Sequence, residues 1–476
     1  MDSTSINRNV GWRILQQYST YIVKIIVQII LARLLMPEDF GVIAIVLVFV
    51  GIAEVIAISG LGTALIQKKD PDEKDFATVL TSSFVLSILI YGLLFFVAPF
   101  ISLYYENNIL TNLLRVYGVA IFIQSYSSIQ NAYVAKSFKF KKSFIATFIG
   151  TFLSGIISVF AAFNGAGLWS LVIQGISAPI FSVLILHIVV PWKPSIGFDK
   201  ERFKQLISFS WKVLVSSLTG TLLEDLYNLV IGKFYGEETL GYYKQGNSYP
   251  SAILGQTRTA INAVMLPVYS HYQDDKVKLL EQVRKMTHLS VFLIFPMAFG
   301  LASVSENFVV VVLTEKWLPC LFFLRLECIF YATLPLSASV NSAMISIGRS
   351  DISLKLELGK LIATILCVVF MHGFDIKVLC VMRIIIAVLT VAVSIIISKK
   401  YINYGFRELI RDTYKPFLAS LMMGACVFGV GLIAIKPLYS FIIQIGLGLL
   451  FYFLVSIIFM KDDVVELKNI FIKQKN

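Results

Sequence analysis

Residues Val42 to Ala53 read VIAIVLVFVGIA, twelve in succession without a charged or hydrogen-bonding side chain. A half-solvated strand, or a strand of a membrane barrel, alternates apolar and polar residues. This stretch does not alternate. Near the other end of the chain, Phe441 to Met460 read FIIQIGLGLLFYFLVSIIFM, twenty residues with no charge. That is enough to cross a hydrocarbon core as a helix, and a helix satisfies its own backbone groups where lipid offers none. Working outward from these runs gives fourteen candidate spans, at about 11–35, 40–66, 76–101, 109–135, 143–163, 166–190, 205–233, 239–267, 287–312, 319–346, 353–372, 376–398, 413–435 and 437–460.

The composition agrees. Of 476 residues, 57% are hydrophobic and 15% charged, against about 45–50% and about 25% in a soluble domain. A cytosolic enzyme, a disordered chain and a β-barrel are therefore set aside. The longest connection, near Tyr269 to Met286, leaves no room for a soluble domain between spans. The first span carries Arg13 and Lys24 and lacks a short apolar core with a cleavage site, so it reads as a retained helix. Cys320, Cys328, Cys367, Cys380 and Cys426 have no metal-ligand spacing. No cofactor or metal is expected.

The net charge is +12, but its distribution speaks for topology rather than nucleic acid. With the N-terminus in the cytoplasm, 29 of the 41 Lys and Arg flank cytoplasmic connections and five flank external ones. This is the positive-inside pattern. It places both termini in the cytoplasm and supports an even number of spans. The cluster Lys136, Lys139, Lys141 and Lys142 is then a topology signal, or a grip on anionic membrane lipids.

A shift of 200 residues superposes the first span on the seventh. Ile29-Ile30-Leu31-Ala32-Arg33 meets Leu229-Val230-Ile231-Gly232-Lys233, Glu38 meets Glu238, and Gly41 meets Gly241. A shift of 210 superposes the fourth span on the tenth, matching Arg115 to Arg325, Ser127 to Ser337 and Asn131 to Asn341. Six spans per copy keep both copies in one orientation, as in transporters with parallel repeats. The expectation is an all-α polytopic membrane protein. Its lobes cover 1–192 and 204–400, joined by a cytoplasmic loop at 193–203, with two extra helices and a tail at 401–476.

Seven basic residues remain within the spans. Each costs about 2.5–3.5 kcal/mol if it faces lipid, so they face each other, a cavity or water. In the first span Arg13, Gln17, Thr20, Lys24 and Gln28 share one helix face. Ser217, Thr221, Glu224 and Asn228 do so in the seventh, and Lys244, Asn247, Ser251, Arg258 and Asn262 in the eighth. Pro250 interrupts the last stripe and predicts a kink or unwound turn. Lys24, Gln28, Arg115, Lys212, Asn228, Lys244, Asn247, Arg258 and Arg325 are the candidate residues for an anionic headgroup and its sugar, since Arg and Lys suit phosphate oxygens. Glu54, Glu224 and Asp225 are candidates for ion coupling or gating, with Lys24 paired to Glu224 or Asp225. The alternative is that the stripes bond helices together, and that Arg115 and Arg325 snorkel to an interface. Arg383 belongs to no stripe. No nucleotide-binding G-x-x-x-x-G-K-[ST] loop occurs, and Asp70-Pro71-Asp72 lacks the α/β domain that a sugar-nucleotide site needs.

Two stretches carry a family resemblance. The segment from Leu31 to Gly41, LARLLMPEDFG, followed by Gly60 to Gln67, GLGTALIQ, resembles the N-terminal signature of bacterial polysaccharide exporters. These are the O-antigen, colanic-acid and teichuronic-acid type flippases of the multidrug/oligosaccharidyl-lipid/polysaccharide superfamily. Trp192-Lys193-Pro194 and Tyr242-Tyr243-Lys244-Gln245-Gly246-Asn247 resemble later stretches of the same group. The resemblance implies two six-helix lobes in a V around a cationic cavity, and a transporter rather than an enzyme. It implies a substrate of oligosaccharide on undecaprenyl diphosphate, coupling to H+ or Na+, and two added helices that form a groove for the lipid tail. A polysaccharide polymerase and glycosyltransferases are the further partners it suggests. The rival functions are a drug or metabolite cation antiporter of the same superfamily and a membrane polysaccharide polymerase. The first would favour acids within the spans, where bases outnumber them. The second would need a large external loop.

Overall fold

The computed structural model describes residues 3–58, 60–192, 195–433 and 436–460; of residues 3–11, 13, 14 and 224 only the backbone is described. Among the described residues every regular element is helical, and twelve helical segments are long and apolar enough to cross a membrane. The other two expected spans are helical as well, over Glu237–His271 and Ser350–Met371. They are the polar ones: the first carries Lys244, Asn247 and Arg258, the second Lys355, Glu357 and Lys360. The count of about fourteen is compatible with this pattern.

The chain divides into two compact units, Met1–Gly241 and Tyr242–Asn476. The first contains α1 (Ser3–Leu34), α2 (Pro37–Ile58), α3 (Leu61–Gln67), α4 (Glu73–Tyr105), α5 (Ile109–Tyr117), α6 (Ala120–Lys136), α7 (Phe140–Phe163), α8 (Trp169–Val189) and α9 (Lys200–Phe234). Thus α9, which follows the inter-lobe loop in sequence, packs with the first unit. Its fixings are polar. The Tyr105 hydroxyl donates to the Leu229 carbonyl at 3.1 Å, and Lys233 pairs with Glu106 at 2.9 Å.

Side chains at the helix starts explain where the helices begin. Asp72 and Asp75 form a capping box on α4, and Asp199 accepts from the amides of Glu201 and Arg202 at the start of α9. Such caps satisfy amides that the first helical turn leaves free. The same residues fasten the connection into α9. Arg202 pairs with Asp72 and, at 3.1 Å, with Asp75, which also holds Lys68 at 2.6 Å. The amides of Gly197 and Asp199 donate to the hydroxyls of Thr81 and Thr78 at 3.3 and 3.2 Å. Asp72 is therefore a helix cap and ion-pair partner, which accounts for the Asp70-Pro71-Asp72 motif structurally.

The second unit contains most of α10 (Glu237–Pro250), then α11 (Gln256–His271), α12 (Lys276–Phe308), α13 (Leu321–Ser346), α14 (Ser350–Met371), α15 (Ile376–Ile402), α16 (Phe406–Gly431) and α17 (Pro437–Phe459). The interruption expected at Pro250 is a single π-helical turn, Ser251–Gly255, between α10 and α11. The long connection expected at Tyr269 to Met286 is corrected. The ends α11 and α12 reach leave four residues between them, because the charged residues from Lys276 onward extend α12, capped by Asp275.

The last two helices are built into this unit. Arg284 of α12 meets Asp412 of α16 through two nitrogens, at 2.7 and 3.1 Å. Asn307 of α12 donates to Ser440 and Gln444 of α17, both at 2.9 Å. The Tyr452 hydroxyl donates to the Phe292 carbonyl at 2.8 Å. Interhelical hydrogen bonds of this kind fix helix pairs where lipid supplies no hydrophobic drive.

Candidate functional site

Most of the candidate residues from the first half lie along α1 and α9. Lys24 is exposed on α1 and makes no hydrogen bond or ion pair among the described residues. Gln28 is half-buried on the same helix, and Lys212 is exposed on α9. Asn228 is buried and donates to Asp225 at 2.6 Å, so a residue of the α9 stripe forms a polar pair with an acid one helical turn before it. The Glu224 side chain lies outside the described residues, as does that of Arg13. Glu54 is half-buried in α2, flanked by the buried Ala53 and Ala57.

Arg115 and Arg325, matched by the 210-residue shift, behave alike. Arg115 donates from Nε to the Phe95 carbonyl at 3.4 Å, with its guanidinium 4.1 Å from the Phe95 ring. Arg325 donates from Nε to the Ser305 hydroxyl at 2.9 Å and lies 3.6 Å from Glu306. Each reaches back twenty residues to the preceding long helix. Both are thus engaged with a neighbouring helix, within their own units.

In the second unit, Lys244 and Asn247 lie half-buried on α10, and Asn247 Oδ1 has no hydrogen-bond partner. Beyond the π-helical turn, Arg258 and Asn262 of α11 line a polar cavity of about 160 Å³ with residues of α13, α14 and α15. Arg258 Nε is buried there without a partner.

Two features had no sequence signal strong enough to single them out. Arg383 of α15 donates to Glu327 of α13 and to the hydroxyl of Tyr243 on α10, and its guanidinium lies 4.0 Å from the Phe330 ring. Glu327 is 4% exposed. The three residues come from separate helices, so no periodicity within one span marks them. The signal available was a charge with no stripe, which demands a buried partner. The second feature is an apolar groove of about 910 Å³ walled by α12, α16 and α17, with Ile253 of the π-helical turn at its edge. Two of its polar members are engaged, Gln444 with Asn307 and the Val427 carbonyl and Tyr452 with Phe292, while the buried Ser456 hydroxyl has no hydrogen-bond partner.

Comparison with known proteins bears on this arrangement. A family model described as polysaccharide biosynthesis protein matches residues 30–322. Among curated proteins, the chain is 25% identical over 318 residues to the succinoglycan biosynthesis transport protein ExoT of Rhizobium meliloti (strain 1021), covering 67% of this chain and 64% of that one. It is 25% identical over 385 residues to the teichuronic acid biosynthesis protein TuaB of Bacillus subtilis (strain 168), covering 80% and 79%. It is 22% identical over 417 residues to the lipopolysaccharide biosynthesis protein WzxC of Escherichia coli (strain K12), covering 85% and 83%. The fold is similar to that of the lipid II flippase MurJ in an inward closed conformation, with TM-score 0.77 at 16% identity, over 96% of this chain and all of that one. It is also similar to an inward-facing multidrug resistance MATE family transporter, with TM-score 0.62 at 14% identity, over 81% and 94%.

Proposed function

The chain belongs to the polysaccharide biosynthesis protein family, as a multi-pass membrane transporter, and on that premise we propose that it flips a lipid-linked oligosaccharide. The substrate in this reading is a repeat unit on undecaprenyl diphosphate, carried from the cytoplasmic to the outer leaflet for surface polysaccharide synthesis. The observation that carries it is the 910 Å³ groove of α12, α16 and α17. A trough lined almost wholly by apolar side chains suits a polyprenyl tail and offers little to a small hydrophilic solute. The names of the relatives support the same reading, since they transport or build succinoglycan, teichuronic acid and lipopolysaccharide.

The basic stripes take the diphosphate. Lys24, Gln28, Lys212 and Asn228 serve in the first half, Lys244 and Asn247 in the second, with Arg115 and Arg325 as bases toward the outer side and Arg258 facing the attached sugar. Transport proceeds by alternating access coupled to H+ or Na+, with Glu54, Glu224 and Asp225 as the acids that respond to the ion. The six-helix repeats at 1–192 and 204–400 are the moving lobes of this scheme. Both termini lie in the cytoplasm and the protein in the inner membrane, beside the polymerase and glycosyltransferases that use and make its substrate.

The test is reconstitution in proteoliposomes with a fluorescent undecaprenyl-diphosphate oligosaccharide. Movement to the leaflet accessible to an added quencher is expected, with loss of it in a folded Lys24→Ala, Arg258→Ala double variant. No movement by the intact protein, together with efflux of a cationic dye, would overturn the reading in favour of the cation antiporter.

A further inference from the structure

We infer that the polar cavity within the second unit is a subsite for an acidic sugar residue, one bearing a carboxylate on a hydroxylated ring. The inference rests on the proposed carriage of a lipid-linked glycan and names a chemical class for that glycan.

The cavity has about 160 Å³. A single water needs about 10–15 Å³ on a comparable measure, so the space takes about ten waters or one pyranose ring. Its lining brings together Arg258 and Asn262 of α11, Ser337 and Asn341 of α13, and Glu357 and Lys360 of α14. Two cations therefore face one carboxylate. Glu357 lies 4.0 Å from Lys360, while Arg258 makes no ion pair among the described residues. The cavity carries excess positive charge and calls for an anion.

Two buried atoms of lining residues, one on α11 and one on α13, have no hydrogen-bond partner, and they differ in kind. Arg258 Nε is a donor and Asn341 Oδ1 an acceptor. Buried polar groups are normally paired, so the occupant supplies both an acceptor and a donor. A diphosphate supplies acceptors alone and leaves Asn341 unmatched. A neutral sugar supplies hydroxyls and leaves the charge of Arg258 and Lys360 uncompensated. A uronate supplies a carboxylate, which a guanidinium binds through parallel hydrogen bonds, and ring hydroxyls for Asn341, Asn262 and Ser337. Sites that hydrogen-bond a hydroxyl reject analogues that lack it, so the cavity selects for the sugar as well as the charge.

The purified full-length protein in lipid nanodiscs provides the test, with saturation-transfer NMR of sodium glucuronate, glucose and inorganic pyrophosphate as probes. Glucuronate is expected to bind at least tenfold more tightly than glucose. Lys360→Gln and Asn341→Leu are each expected to weaken it about tenfold while pyrophosphate binding, which reads the basic stripes elsewhere, is kept. Retained pyrophosphate binding and an unchanged elution volume show that the variants fold. Equal affinity for glucose and glucuronate overturns the inference, and so does competition in which pyrophosphate displaces glucuronate. Lipid-linked glycans with and without a glucuronate residue separate the two readings. If wild-type protein flips neither, the transport reading fails while the cavity's ligand stands. If it flips both and Lys360→Gln slows them equally, the acidic-sugar subsite fails while transport stands.

Discussion

Gly41 and Gly241 cross with no room for a methyl group on either. A Cβ on Gly41 would fall 1.8 Å from the Glu237 carbonyl oxygen, and one on Gly241 would fall 1.8 Å from that of Pro37 and 3.3 Å from the Gly41 nitrogen. The 200-residue shift pairs Gly41 with Gly241 and Pro37 with Glu237, so the contact is its own mirror in sequence. Alanine at either position overpacks backbone against backbone, where no side chain can yield. Gly41→Ala and Gly241→Ala are each expected to cost about 1–3 kcal/mol. Gly51→Ala, with nothing within 4 Å of its added carbon, gains up to about 1 kcal/mol from helix propensity. Thermal unfolding of the three variants in one detergent checks the contrast, and equal melting temperatures would refute it.

The forked contact of Arg284 with Asp412 ties α12 to α16. Asp412 is 7% exposed at its side chain and Arg284 34%. Breaking a fully buried pair costs about 3–5 kcal/mol. With Arg284 partly solvated, Asp412→Ala is expected to cost about 2–3 kcal/mol. Chemical denaturation followed by the fluorescence of the chain's five tryptophans reads this out.

Filling the apolar groove separates tail binding from folding. Gly448 lies on its wall, and a Cβ there meets Val427 at 3.3 Å and Met423 at 4.0 Å. Gly448→Phe projects a ring into the groove. Transport of the lipid-linked oligosaccharide is expected to fall at least tenfold, with normal yield and elution. Unchanged transport in proteoliposomes would remove the groove from the substrate path.

At the start of α14, Arg349 binds Asp351 through two nitrogens, at 2.8 and 2.9 Å. This hydrogen-bonded guanidinium holds the Asp351 carboxyl down at about 2, below the ordinary value of about 3.9. A depressed carboxyl stabilises the folded state above its unfolded pKa, and the effect is lost as pH falls through the folded value. The contribution is therefore full above about pH 4 and fades toward pH 2. Asp351→Asn is expected to flatten the melting-temperature profile across that window. A profile that falls as steeply as the wild type would assign the acid sensitivity to other carboxylates.

Particular residues show how far the sequence alone reaches. The run from Val42 to Ala53 is legible as a spanning helix because every neighbour on the chain repeats the same message. Lys244, Asn247 and Arg258 are legible as a stripe because spacing within one helix is a property of sequence. Arg383 with Glu327 is not, since the pairing depends on which helices pack together. Lys360 reads as one more cytoplasmic charge until α14 turns it toward Arg258. The groove is the extreme case, with walls from residues as far apart as Ile253 and Ser456. Nothing local in those segments distinguishes a groove-facing leucine from a lipid-facing one.

The π-helical turn at Ser251–Gly255 changes the phase of everything after it. A π turn holds about one residue more than an α turn, so the helix beyond it is rotated by roughly 100° relative to an uninterrupted one. The eighth-span stripe, continuous on paper from Lys244 to Asn262, is thereby split into two stations with different outlooks. Lys244 and Asn247 address one set of neighbours, and Arg258 and Asn262 are swung toward α13 and α14. A single inserted residue thus converts a ladder into a dogleg, and a deletion within 251–255 would realign it without altering one charge.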